Sequence, residues 1–413
     1  MLKTKSERLC KDWIETFCEY VSNTEVPEKF AKWAAISVIA AAMRRRCWLA
    51  AGRLSIFPNL YILLVSPPGS EKSAVIPYAI NILTKAIPNI AVAPEGCTKK
   101  TFLREIRNAV TTFILPNNIS VRYSALTVMS SDFNIFLQSK KLIPILVSMY
   151  DNPRGVWSHR NTYIINPCIN IISCISPTSL ASLIPLKKGI GESFISKTLF
   201  VYNDTKDKLV AIPHFTEKEK EYEQSLIHDL GIIEKLSIVY RFSEECEEKY
   251  SKWYVKQAKS PRICKDSILD GWYERKPLFV QKLAMICQAS KIDYYIIEWD
   301  VLERAISLIE ELEETMALAI RGFNRNDISR DMEMVYTLIK AKQYITDKEL
   351  LSFVWRDMDI DKLGKVIPAL HREGLIKILP QTPDGRSEIC YVAVETKKGV
   401  AGKGEESCHA LGV

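Results

Sequence analysis

An α/β fold with a mainly parallel sheet, flanked by helical segments, is the class this sequence predicts. Three observations predict it. Between residues 56 and 205, short runs rich in β-branched residues alternate with stretches of helical periodicity. The apolar run Leu60–Val65 leads into a Pro-Pro-Gly turn and then Lys72-Ser73, in the order strand, tight turn, helix. On both sides of this region the pattern is helical, and near the C-terminus three helical stretches are followed by two β-rich runs.

Taken in order, Trp13, Phe17 and Tyr20 recur at helical spacing, as do Trp33, Ile36 and Ile39-Ala40. Pro27 suits the start of the second helix. These helices make an N-terminal segment, residues 1–55. In residues 56–205 the expected strands are Tyr61–Val65, Ala125–Met129, Ile169–Ile175 and Thr198–Tyr202. The expected helices are Ser73–Ala86, Lys100–Val110 and Asp132–Gln138. Residues 206–327 read as an all-helical, highly charged domain. Its clearest helix carries an apolar stripe of Leu302, Ile306, Ile309, Leu312 and Met316. Residues 328–396 form a small winged-helix-like unit. Its helical stretches are Arg330–Lys342, Asp347–Val354 and Ile360–Glu373, and its β-rich runs flank a Pro383-Asp384-Gly385 turn. Pro368 removes one backbone bond from the third helix. Residues 397–413 have little to bury and are expected to be a disordered tail.

The bulk properties narrow the function. With 413 residues, the chain is too long for one ordinary core. No stretch reaches the roughly 18 apolar residues that a membrane span needs, and the N-terminus lacks the order of a signal peptide. A cytoplasmic protein is expected. Eleven scattered cysteines, none in a C-x-x-C pair, suggest neither a zinc site nor a disulfide framework. Residues 1–205 carry a net charge of +11 and the remainder −4, so the first half favours an anionic partner such as nucleic acid or nucleotide. There is no carboxylate triad or histidine set of the kind a primase or nuclease would need.

Ser66 to Ser73, SPPGSEKS, has the shape of the phosphate-binding pattern G-x-x-x-x-G-K-[ST] (the P-loop, or Walker A). Pro68, Gly69, Ser70, Glu71, Lys72, Ser73 and Ala74 would form the loop around the phosphates of ATP. Lys72 would reach the β- and γ-phosphate oxygens, and the Ser73 hydroxyl would serve Mg²⁺. Ser66 and Glu71 replace the two glycines. Glu71 is the harder loss, because its charge opposes phosphate unless it points away. Pro77 weakens the helix that follows. Asp132, at the tip of an expected strand, is the one acid placed to hold Mg²⁺ through water or to polarise the attacking water. It would equally cap the next helix. Ser176 ends another expected strand and could sense the γ-phosphate. Arg154, Arg160 and Lys197 are candidates for the charge that stabilises the transferred phosphoryl group.

These segments together resemble a family of phage and prophage ATPases, primase/helicase-like proteins with a RecA-like P-loop NTPase core. Glu25-Val26-Pro27, Trp33, Arg44–Arg46, Pro58-Asn59-Leu60-Tyr61 and Pro67-Pro68-Gly69 match its pattern, as do MYDNPRGVW and GIGESFISKTLFVY. The resemblance covers residues 20–320. It implies a ring- or filament-forming homo-oligomer, a hexamer for example, acting on DNA in the replication of a phage or prophage in a bacterial host. Other replication proteins would be its partners. The family often tolerates a non-glycine before the lysine, though not a negative one. It more often has Arg where this chain has Lys197, which keeps the charge but loses the planar fork. A helicase acting on single-stranded DNA is therefore expected, with Lys99-Lys100, Arg104, Arg107 and Lys140-Lys141 on phosphates. The alternative is a non-hydrolysing replication scaffold or helicase loader.

Overall fold

Tyr61–Val65 is five apolar residues in a row, and all five are buried. A strand apolar on both faces requires cover on both, as in parallel sheets. The computed structural model describes residues 7–114, 118–151, 155–183, 189–206, 208–212, 214–320, 327–354, 358 and 360–394. The chain divides into two compact units, Met1–Phe323 and Asn324–Val413.

The first unit begins with α1 (Trp13–Tyr20), which Asp12 caps by accepting from the N–H groups of Ile14 and Glu15. Next comes α2 (Glu28–Met43), buried over nearly its whole surface, as expected of a helix apolar all round. A short hairpin, β1 (Trp48–Ala51) and β2 (Leu54–Ile56), leads to β3 (Tyr61–Val65). The chain continues through α3 (Val75–Ala86), α4 (Lys99–Asn108), β4 (Val110–Ile114), β5 (Ser120–Ser130), α5 (Phe133–Phe136) and α6 (Ile143–Tyr150). A second hairpin, β6 (Val156–His159) and β7 (Thr162–Ile165), precedes β8 (Pro167–Ile175), α7 (Pro177–Leu183), α8 (Ile190–Ile195) and β9 (Leu199–Tyr202). The last part holds α9 (Glu217–Lys235), β10 (Val239–Phe242), α10 (Glu244–Lys259), α11 (Asp270–Lys291), β11 (Ile296–Ile297) and α12 (Trp299–Ile320).

The central sheet has the order β4-β5-β8-β3-β9. Its pairs are parallel except β4 with β5. Residues 91–93 extend it beyond the upper part of β5, where Ala93 N–H donates to Thr127 O at 2.8 Å and Thr127 N–H to Ala91 O at 2.9 Å. Alternation along the strands sorts the layers. Tyr61 meets Tyr150 of α6 and Phe194 of α8 on one face. Asn170 bonds Ser37 of α2 on the other. The fold is thus α/β, and its central sheet is mixed only at the β4 edge.

The region expected to be all-helical is not. β10 and β11 lie within it, and β10 pairs in parallel with both β1 and β11. The result is a second sheet of order β11-β10-β1-β2. These strands are two to four residues long, too short for alternation to separate them from helix ends. Because β1 and β10 pair, the expected boundaries at 55/56 and 205/206 fall inside the first unit. The α12 stripe is as expected: Leu302, Ile306, Ile309, Leu312 and Met316 are all buried.

The second unit contains α13 (Asp327–Lys342), β12 (Tyr344–Thr346), α14 (Asp347–Val354), α15 (Ile360–Arg372), β13 (Ile376–Leu379) and β14 (Cys390–Ala393). Its antiparallel sheet runs β12-β14-β13 around a separate core that includes Val335, Leu350, Val366 and Leu370. Helix α15 continues through Pro368. Gly385 turns the β13–β14 connection with φ +89° and donates to Thr382 O at 2.9 Å. The expected tail, 397–413, lies outside the described residues, as does Arg154. No helix among the described residues is long and apolar enough to cross a membrane.

Candidate nucleotide site

The loop leaves the C-terminal end of β3, where open parallel sheets place their ligand crevices. Its base is tied to the neighbouring strands: Ser66 N–H donates to Ile175 O of β8 at 3.2 Å, and Asn203 N–H, beyond β9, donates to Val65 O at 3.1 Å. Ser66 and Ser70 are buried. The Ser66 hydroxyl donates to the Ser70 hydroxyl, which donates to Pro67 O at 2.8 Å. The serine in place of the first glycine therefore staples the loop shut. Pro68 and Gly69 form the exposed crest.

Gly69 and Glu71 both take left-handed backbone, with φ +83° and +52°. Left-handed residues alternating with ordinary ones make a concavity of inward N–H groups that suits an anion. Glu71 thus keeps the backbone path for which glycine is the default. The N–H groups of Glu71, Lys72 and Ser73 donate to none of the described residues. The Glu71 side chain is exposed. The Lys206 ammonium is held above its ordinary range, first by its bond to Glu25 and less by Glu71. The charge of Glu71 is therefore partly answered by a cation just beyond β9.

Lys72 Nζ donates to Pro67 O at 3.2 Å, so the ammonium folds over its own loop. Ser73 is exposed, and Ala74 leads into α3, which begins at Val75. Pro77 sits in the first turn, whose N–H groups have no helical partner in any case, so it does no damage. Beneath Lys72 lies Cys174 of β8, whose thiol donates to Lys72 O at 3.1 Å. Burial pushes that thiol up to about 12, Lys72 pulls it down and Asp132 pushes it up. The cation and the carboxylate therefore both act on one buried atom near the end of β8.

Asp132 follows β5, separated from β3 by the inserted β8. Its carboxylate caps α5, accepting from Asn134 N–H at 2.8 Å, and stays half-buried. Ser176, just past β8, caps α7: its oxygen accepts from Ser179 N–H at 3.2 Å. The structure thus gathers Lys72, Ser73, Asp132 and Ser176 at one end of three adjacent strands.

Two candidates lie elsewhere. Lys197 precedes β9, at the end of the sheet opposite the loop, because β9 and β3 are parallel. Its side chain is 7% exposed, and Nζ donates to Asp151 Oδ2 at 2.6 Å. Arg275 takes the other Asp151 oxygen at 2.9 Å. Burial would push the Asp151 carboxyl up, but these two cations hold it below its ordinary value. Arg160 is exposed at the turn between β6 and β7, on the side of β5 and α4. Sequence reasoning did not single out Lys206, Cys174 or the Ser66–Ser70 pair. Only the loop's backbone geometry and strand order reveal them.

Compared with protein-family models the chain matches none, and no curated protein matches it.

Proposed function

We propose that this chain binds ATP at the Ser66–Ala74 loop and hydrolyses it as a RecA-like, helicase-like motor on single-stranded DNA. One observation carries the reading: Glu71 adopts the left-handed backbone of a phosphate loop and leaves its side chain in solvent. The strand β8 inserted between the loop strand and the acid strand supports this reading, since it sets Lys72 and Asp132 on either side of one strand end. In the proposed reaction Asp132 polarises a water, the water oxygen attacks the γ-phosphorus, and the bond to the β–γ bridging oxygen breaks. Lys72 stabilises the charge on the phosphoryl oxygens, and Ser176 orients one of them. The oxygen donors of Ser73 and Asp132 fit Mg²⁺, which keeps several waters and takes few protein ligands; with ATP it would neutralise phosphate charge. The second unit, three helices and a three-stranded antiparallel sheet, serves as a winged-helix-like accessory for DNA or for a replication protein.

Lys197 favours a second reading. Buried and paired to Asp151, it is withdrawn from any neighbouring subunit's phosphates, which suits a nucleotide-binding scaffold or helicase loader in phage or prophage replication. A purified ATPase assay, with and without single-stranded DNA, tests both. The motor reading expects DNA-stimulated turnover that Lys72→Ala abolishes together with ATP binding. ATP binding without turnover supports the scaffold. Turnover unchanged in Lys72→Ala excludes the loop.

A further inference from the structure

The β6–β7 hairpin turns one face into the fold and leaves the other uncovered. Cross-strand pairing sets Trp157 opposite Ile164 and His159 opposite Thr162, and alternation puts these four on one face. That face is seated. The Trp157 indole N–H donates to Ser148 Oγ of α6 at 3.2 Å. Lys99 Nζ of α4 donates to His159 Nε2 at 2.7 Å. Ile164 is buried. A lone two-stranded hairpin is marginal in water, so these contacts hold it. The opposite face carries Val156, Ser158, Tyr163 and Ile165, with Val156 59% and Tyr163 62% exposed.

Cations lie around the hairpin. Lys99 and Lys100 open α4, next to the hairpin through His159. Lys141, exposed, lies in a turn packed on α4, while its neighbour Lys140 donates to Ser182 O of α7 at 2.9 Å. Arg160 is the hairpin's own exposed turn. The acids on the adjoining α4 segment are Glu95 and Glu105, and Arg104 already pairs with Glu105 at 2.8 Å. A matching partner is polyanionic and offers flat apolar surfaces. Unpaired bases on a phosphodiester chain have both properties, whereas a duplex hides its base faces.

We infer that the outer face of the β6–β7 hairpin binds single-stranded nucleic acid, with Tyr163 stacking a base and the exposed Arg160 and Lys100 on the phosphates. The hairpin lies in the chain between the strand that ends near Asp132 and the strand that ends at Ser176, and it runs into the start of the latter at Pro167, the end of that strand away from the nucleotide loop. Any coupling to the loop rests on the proposed ATPase reading; the binding itself does not.

The test is fluorescence anisotropy of the full chain with labelled 20-nucleotide oligo-dT, oligo-U and a duplex, alongside binding of a fluorescent ATP analogue. A single strand should bind more tightly than the duplex, and the tighter of oligo-dT and oligo-U names the nucleic acid. Tyr163→Ala should weaken that binding about fivefold or more, with Tyr163→Phe close to wild type. Arg160→Ala should lower the slope of log affinity against log salt by about 0.7. Both variants should keep the wild-type melting temperature and ATP-analogue affinity. Unchanged affinity in Tyr163→Ala together with an unchanged salt slope in Arg160→Ala would overturn the inference, as would equal binding of duplex and single strand. Lost ATP binding with intact single-strand binding would remove the ATPase reading and leave this one standing.

Discussion

Asp132 serves two purposes with one carboxylate, and substitution can separate them. Its oxygen accepts from Asn134 N–H at the start of α5, a capping bond that asparagine makes as well as aspartate. Only the charge can polarise a water beside a bound phosphate. Asp132→Asn should therefore keep the melting temperature while turnover falls by about a hundredfold or more. Asp132→Ala should lose turnover and about 1 kcal/mol of stability as well. Calorimetry and a phosphate-release assay on both variants check this; an Asn variant with wild-type turnover would confine Asp132 to capping. Glu71 shows where reading residues one at a time stops. Its charge is visible in the sequence and counts against a phosphate loop. Its φ of +52° is not visible, because Glu is a residue type that seldom enters the left-handed region. The backbone path belongs to the turn as a whole, and the residue conforms to it.

Between elements, a buried amide fixes how α2 lies on the sheet. Asn170 of β8 accepts from Leu60 N–H at 3.0 Å, and its Nδ2 donates to the Ser37 carbonyl and hydroxyl of α2 at 3.0 Å each. One side chain thereby joins β8, the start of β3 and α2 behind the loop strand. Asn170→Ala leaves the Leu60 N–H without its acceptor in an apolar layer, which should cost about 2–3 kcal/mol, measured as a shift in the urea midpoint followed by tryptophan fluorescence. Elements of this buried kind were the legible ones. β3, β8 and β9 are apolar runs covered on both faces, so composition alone marks them within a residue or two. α1, α2 and α12 declare themselves by a continuous stripe. The β6–β7 hairpin, β4 and the small β1–β10 sheet were illegible: they are short or lie at edges, where pairing with distant partners rather than local pattern decides their state. The site divides in the same way. Lys72 and Ser73 follow from spacing, because the loop is local in sequence. The pairing of Lys197 with Asp151 depends on which end of β9 meets α6, and only the assembled sheet determines that.

At the scale of the whole molecule, buried ionisable groups set how stability follows pH, and two sets act in opposite directions. Lys282 of α11 is buried, with Nζ donating to Asn59 O and Asn59 Oδ1 at 2.8 Å each, and it lies over the Tyr150 ring. Burial, the largest cause, lowers its pKa from 10.5 to about 7; Cys168 and Asp151 raise it, and Arg275 and Lys197 lower it further. Between these values the unfolded chain holds a proton that the folded protein has released, so stability rises with pH from about 7 upward. Below 7 both states carry the proton and this contribution is flat. The buried thiols oppose it at higher pH. Burial lifts Cys10, Cys47 and Cys174 to about 12 and Cys168 and Cys287 to about 11, from an ordinary 9.0. Above 9 the unfolded chain therefore loses protons that the folded protein keeps, and stability falls. The protein should be most stable a little above about pH 8, because the five thiols of the unfolded chain outweigh the single lysine before they are half ionised. Lys282→Met removes the rising limb alone. Unfolding free energies from urea titrations between pH 6 and 10.5 should rise by on the order of 1 kcal/mol from pH 7 to a little above 8 in the wild type. In the variant they should stay level to about pH 8, and both proteins should lose stability steeply above pH 9. A rising limb that persists in Lys282→Met would assign it to another buried base, with Lys29 and Lys197, both lowered by burial, next in line.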